Sequence, residues 1–323
     1  MRNRLVDTAY LVRDFIQLLR GKDYFRQRLG LGNYFKDSRS YYVDFSKKAY
    51  WKGPTSEDGI PLLLVPRLER HIQFPGMVIQ YGLGSLEAFI QTGDQKYLDR
   101  ADGVAVWLEK NVNPEFYYRN YFLELEPQDS YYSDNSAMTQ GLAMSFLLRV
   151  LQCRNEGDPS GKITALVQGL YRNMCKSITD GGTAVYGEDG TVYFCETCSH
   201  HKTQILNGWI FAIFALFDYQ RHFKDADSAA LLEKTMQTLE ARIGFFIRDN
   251  GWSYYDDMSR LCSPIYQNLH IDLLEALCRL RPSAALEQAK ARLKAGNTAL
   301  NITRYTLQKI VQKLTDSNLY TSA

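Results

Sequence analysis

The sequence predicts a mainly α protein, an (α/α) toroid or incomplete barrel of helical hairpins with small β-hairpin elements at one mouth. Three observations carry this. From about residue 73 onward, stretches with apolar residues at helical spacing alternate with short polar breaks. The helices expected to start near 73, 134, 203 and 265 are spaced by 61, 69 and 62 residues, and each is followed by a second helix. The loops ahead of these helices are the unusual ones, rich in tyrosine and glycine. Hairpins repeated in this way close into a ring of inner and outer helices, and the long loops at one end commonly build the site.

The elements follow in order. Residues 5–19 read as an amphipathic helix with Leu5, Ala9, Val12, Ile16 and Leu19 on one side. Residues 40–65 look extended, with Tyr41, Tyr42, Val43 and Phe45, then Ile60 to Val65. Helices are predicted at 73–92, 97–111, 134–155, 160–177, 203–223, 226–246, 265–280, 283–295 and 302–314. Their breaks carry punctuation such as Gly93-Asp94, Gly157-Asp158-Pro159, Gly181-Gly182, Asn250-Gly251 and Pro282. Residues 181–202 begin as a β-hairpin with its turn at Glu188-Asp189-Gly190. Ser199 to Thr203 is expected to cap the helix that follows. No segment rich in Pro, Gly or Ser divides the chain. The expected organisation is a basic N-terminal helix and extended segment, 1–60, packed on a main helical domain, 61–323.

Composition bounds the function. The chain has 323 residues, 45% hydrophobic and 23% charged, which fits a folded globular protein. The 22 Tyr and 16 Phe have two readings, amphipathic packing and a groove that stacks on sugar rings. A net charge of +2 gives no field for nucleic acid. Residues 1–52 hold twelve Lys/Arg and five Asp/Glu, a local excess of +7. That arm suits an acidic polymer, a peripheral contact with an anionic membrane surface, or simply solvent. No apolar run approaches the ~20 residues that span a bilayer. The N-terminus is broken by Asp7, Arg13 and Asp14 and does not read as a signal peptide. A cytoplasmic protein, with contact at the inner membrane surface through the basic helix, is therefore expected. The six cysteines are expected as free thiols, with Cys153, Cys175 and Cys278 in the core.

Two clusters could carry chemistry. Glu196 lies just ahead of an apolar helix, where amide donors and the positive helix end favour anions. The other reading of Glu196 is a surface glutamate at a helix entry. Cys195-x-x-Cys198-x-His200-His201 has a metal-like look but lacks a second ligand pair, so no metal is assigned. In the second cluster Tyr255 precedes Tyr266 and His270, which are four apart at a helix start and share a face. A tyrosinate base there needs positive charge nearby, and Arg260, Arg67 and Lys202 are available. The alternative is a buried tyrosine that donates one hydrogen bond.

Four stretches together resemble the C-terminal catalytic domain of the glucuronyl C5-epimerase family. They are Phe74-Pro75-Gly76-Met77-Val78-Ile79-Gln80-Tyr81-Gly82-Leu83, Ser136-Ala137-Met138-Thr139-Gln140-Gly141, Leu206-Asn207-Gly208, and Tyr255-Asp256 with Tyr266-x-x-x-His270. Their order holds over roughly 60–295. The resemblance implies an α/α toroid and C5 epimerisation of a uronic acid within a polysaccharide, D-glucuronate to L-iduronate. The C5 proton is α to the carboxylate, and its removal leaves an enolate-like charge. Carried over by position, the catalytic residues are Glu196, Tyr255 and Tyr266. Asn207, His270, Arg260, Arg67, Tyr186, Gln140 and Tyr81 are the substrate-binding candidates. The resemblance implies an acidic polysaccharide as substrate, no organic cofactor and a homodimer. It leaves divalent-cation dependence open. Two departures stand out. Thr197 replaces a tyrosine after the glutamate, and Met258 replaces an arginine that Arg260 or Arg67 would have to substitute. The chain also lacks most of the N-terminal domain of animal members, which points to a bacterial-type enzyme of capsule or exopolysaccharide synthesis.

Two other functions share these features. A polysaccharide lyase takes the same first step and then expels the group on O4. A non-catalytic protein binding an acidic glycan would keep the aromatic loops and basic arm without the chemistry. Fold alone does not choose among the three.

Overall fold

The structure is a computed structural model, and it describes residues 29–65, 68–125, 130–154 and 157–315. The helix expected at 5–19 lies outside the described residues.

Eight helices form four hairpins. They are α1 (Pro75–Thr92) with α2 (Gln95–Asn111), and α3 (Ala137–Cys153) with α4 (Lys162–Met174). The others are α5 (Leu206–Phe223) with α6 (Ala226–Arg242), and α7 (Pro264–Leu280) with α8 (Ala284–Gly296). A ninth, α9 (Ala299–Thr315), packs on α7. The odd-numbered helices of the hairpins pack on one another in the order α1, α3, α5, α7, and each also packs on its own outer partner. This is the incomplete α/α toroid. Because every hairpin returns the chain, all four inner helices run the same way. Their N-terminal ends share one mouth with the long loops.

Local sequence explains the helix ends. Pro75 and Pro264 open α1 and α7, where a missing N–H costs nothing. Ser136 accepts from Thr139 N, Asp94 from Lys96 N and Asp225 from Ser228 N. Gly93, at φ 69°, closes α1 in the left-handed region. Helices α1, α3 and α5 are apolar nearly all round, as helices buried on most sides must be, whereas α7, last in the series, keeps Asp272, Glu275 and Arg279 on a less buried side. Trp209, Phe146 and Phe214 are fully buried, each worth about 1.5–3 kcal/mol or more of transfer free energy. Close approach needs small residues. A β-carbon on Gly141 of α3 would lie 3.1 Å from the Phe211 carbonyl oxygen of α5.

Two antiparallel hairpins decorate the loops. Strands β1 (Leu63–Val65) and β2 (Arg70–Ile72) pair just ahead of α1. Strands β3 (Ala184–Tyr186) and β4 (Val192–Phe194) pair with Val185 opposite Tyr193, and the turn has Gly190 at φ 82°. Between 40 and 65 the expectation of extended chain holds only in part, since Ser46–Tyr50 forms a 3₁₀ turn. The Phe45 carbonyl accepts from Lys48 N there, and the turn sits directly against Gly84 of α1. Tyr41, Tyr42, Phe45 and Ile60 belong to the same apolar cluster as the inner helices.

At the mouth opposite the long loops a buried ion pair joins two inner helices. Arg149 Nη1 of α3 meets Asp218 Oδ2 of α5 at 2.5 Å, both essentially without exposure. The Tyr42 hydroxyl donates to Asp218 Oδ1 at 2.7 Å, and the Arg149 guanidinium lies 4.8 Å from the Tyr41 ring centroid. Every charged oxygen and nitrogen has company, which is what burial of a charge demands. All six cysteines are free. No helix among the described residues is long and apolar enough to cross a membrane.

Candidate active site

Glu196 leaves the end of β4 and lies beside the first turn of α5. Asn207 Nδ2 donates to Glu196 Oε2 at 3.0 Å. From the other side the Tyr255 hydroxyl donates to Glu196 Oε1 at 3.4 Å. Gly208 leaves the space in which the glutamate rests, since a β-carbon there would fall 2.4 Å from Oε2.

The Tyr255 loop is brought in by backbone pairing. Leu206 N donates to the Tyr255 carbonyl at 3.2 Å and Asp257 N to the Gln204 carbonyl at 3.1 Å. Asp257 Oδ1 accepts from Gln204 N at 3.1 Å, and Ile205 bridges Asp256. This pairing corrects the expected cap. The N-cap of α5 is Ile205, with no side-chain bond, and not a residue of 199–203. A carbonyl from the neighbouring loop takes one orphan N–H instead, so the helix entry is tied to the Tyr255 loop.

Asp256 organises that loop from within. It is fully buried, and its Oδ1 accepts from Met258 N and Arg260 N, each at 3.1 Å. Its Oδ2 pairs with Arg260 Nε. The guanidinium is thereby held 5.7 Å from the Tyr255 ring centroid. Tyr266, in the first turn of α7, meets Tyr255 edge to face at 5.1 Å between centroids. Met258, by contrast, is 60% exposed.

The electrostatics separate the two partners. Withdrawal from water pushes the Glu196 carboxyl up to about 7, against the lowering effect of bonds from Tyr255 and Asn207. Burial, with the Glu196 carboxylate and the Tyr266 hydroxyl next in effect, holds the Tyr255 phenol well above its ordinary value. Near neutrality Tyr255 is a protonated donor, while Glu196 is present in both forms. That pattern suits a proton-transferring carboxyl supported by a phenol.

The other predicted residues are dispersed. His270 has no exposed surface; its Nδ1 lies 3.1 Å from Ser253 Oγ and burial pushes its pKa down to about 3. It is a neutral ring behind the Tyr255 loop. Gln140 is also fully buried, donating to Asn135 Oδ1 at 3.0 Å and accepting from Tyr118 N at 3.3 Å. Tyr81 sits in the core cluster at 8% exposure. The Tyr186 hydroxyl donates to the Cys175 carbonyl at 2.6 Å, at the far edge of the β3–β4 hairpin. Arg67 lies outside the described residues. Cys195 and Cys198 are buried while His200 is exposed, so this motif does not converge, and no metal-binding group of His, Cys, Asp and Glu occurs among the described residues. Sequence reasoning missed Gly208 and Asp256 as parts of the site. Both stand inside quoted motifs, but their contacts are made across the fold.

The site residues fall within 115–295, and this stretch matches the family model described as D-glucuronyl C5-epimerase C-terminus. The match spans more than half of the chain, and the chain belongs to that family. An uncharacterized protein of Methanocaldococcus jannaschii is 28% identical over 87 residues, which is 27% of this chain and 28% of that protein. A solved structure of a UGL variant with dGlcA-Glc-Rha-Glc aligns with TM-score 0.43 and 13% identity, covering 69% of this chain and 60% of that one. The chain thus spans less than a third of the curated relative's length.

Proposed function

We propose that this protein is a C5-epimerase acting on uronate residues of an acidic polysaccharide. The observation that carries this reading is the Tyr255–Glu196 hydrogen bond at the start of α5, inside the segment that matches the epimerase family. The Glu196 carboxylate takes the C5 proton, which is acidified by the sugar carboxylate α to it. The enolate charge that forms faces the positive end of α5 and the Arg260 guanidinium. No sugar ring fits between two groups that are hydrogen-bonded to each other, so Glu196 and Tyr255 serve one face. Tyr266 is the group left for the opposite face. Its hydroxyl gives a proton to C5, and both groups then re-equilibrate with solvent. Arg260, anchored by Asp256, takes the place of the arginine that Met258 lacks.

The test is incubation with unsulfated glucuronate-containing polysaccharides in deuterated water, followed by NMR of the uronate C5 position. Deuterium at C5 with new iduronate-type signals is expected. Neither deuterium nor ultraviolet absorption from a new double bond, on any polymer tried, would overturn the reading in favour of a glycan-binding protein.

A further inference from the structure

The catalytic segment continues past Glu196 into an exposed ring pair. His200 N donates to the Ser130 carbonyl at 3.2 Å, and Tyr132 N to the Cys198 carbonyl at 2.7 Å, with Tyr131 bridging Ser199. Ala137 N donates to the Cys195 carbonyl at 2.9 Å, so these links bracket Glu196 on both sides. Residues 132 and 200 are diagonal neighbours across this ladder and project from the same side. Their rings stand 4.0 Å apart, and both are exposed, Tyr132 at 38%. Single exposed aromatics are ordinary. Two rings on separate loops, tilted 48° to each other, fixed by backbone bonds and still open to water, make a preorganised aromatic surface.

A lysine follows two residues after His200. Lys202 closes the turn through its N–H to the Ser199 carbonyl at 2.9 Å, and the Tyr193 hydroxyl holds its carbonyl at 2.9 Å. Its backbone is left-handed at φ 50°, an uncommon state for lysine. The residue is exposed, and among the described residues no carboxylate pairs with it. Arg119 and Arg70, nearby on the same mouth, are instead committed to Asp134 and Glu124. Aromatic faces receive the C–H face of a sugar, and an ammonium receives a carboxylate. Four residues of chain reach at most about 14 Å, so the rings lie within reach of a neighbouring unit of a chain bound at Glu196.

We propose that Tyr132, His200 and Lys202 form a second subsite, which takes an anionic sugar ring adjoining the one at Glu196. The inference rests on the glycan reading above and extends it to a stretch of polymer. The test compares Tyr132→Ala, Lys202→Gln and the double variant with wild type. The probes are an unsulfated glucuronate-containing polysaccharide and its single-uronate fragment. Binding is read by titration at two salt concentrations, and C5 deuterium exchange is read separately. In the double variant, polymer affinity should fall about tenfold, with a weaker salt dependence. Its KM for exchange should rise about as much, with a far smaller change in kcat, and the fragment should bind as before. Polymer affinity equal to wild type, with wild-type exchange present, overturns the subsite and leaves the epimerase reading standing. A wild-type protein that neither binds nor exchanges on any polymer overturns both.

Discussion

A β-carbon on Gly208 would lie 2.4 Å from Oε2 of Glu196 and 2.5 Å from its Cβ. The first turn of α5 is thus shaped around the glutamate side chain. Gly208→Ala should push Glu196 off its bonds to Asn207 and Tyr255. Since an ångström of misplacement can cost about 100-fold, C5 exchange should fall by about that factor. Circular dichroism should show helix content unchanged. Exchange within a few-fold of wild type would detach Glu196 from the chemistry.

The pH dependence follows from the same carboxyl. With Glu196 at about 7, the exchange rate should rise with pH through that value as the carboxylate forms. The Tyr255 hydrogen bond lowers this pKa, so Tyr255→Phe should move the rising limb to higher pH. The rate at neutral pH should drop about 100-fold or more. A pH–rate profile of both proteins checks the shift, and an unmoved limb would assign it to another group.

Stability should carry the opposite signature. The unfolded carboxyl titrates near 4.5 and the folded one near 7, so the native state holds this proton more tightly. Between those values the contribution of Glu196 to stability falls as pH rises, and above 7 the fold bears an ionised, desolvated carboxylate. Glu196→Gln removes that cost. The variant should melt higher than wild type at pH 8, by about 2 °C or more, and equally at pH 4. Thermal unfolding at the two pH values decides it.

Asp218 has a purely architectural task at the other mouth. Removing it leaves the Arg149 guanidinium buried without its counter-charge. Asp218→Ala should destabilise the protein by about 3–5 kcal/mol, measured by urea unfolding. Tyr42→Phe, which deletes one bond to the same carboxylate, should cost about 1–2 kcal/mol. Exchange per folded molecule should be unchanged in both.

The hairpin series was legible in the chain because it is written in local periodicity. Helices expected from 73, 134, 203 and 265 begin at Pro75, Ala137, Leu206 and Pro264, where prolines, a serine cap and apolar runs announce them. The β3–β4 turn was legible through Gly190 for the same reason. The exception at α5 is instructive. Ser199 to Thr203 carries good capping residues, yet the helix starts later, because residues 204–206 are engaged by the Tyr255 loop.

The sequence by itself determined the hairpin repeat, the family, and Glu196, Tyr255, Tyr266 and Asn207 as the candidates to watch. Only the tertiary structure decided which of the other candidates stand beside Glu196 and Tyr255. Gln140 and His270 share motifs with those residues, but folding sets the Gln140 amide against Asn135 and Tyr118 and the His270 Nδ1 against Ser253. It also set the Glu196 carboxyl near neutrality and joined Arg260 to Asp256. The physical reason is that desolvation and pairing depend on what the rest of the chain places around a group. Residue 196 meets residues 207, 208 and 255 only when β4, α5 and the 252–262 loop converge at one mouth of the ring.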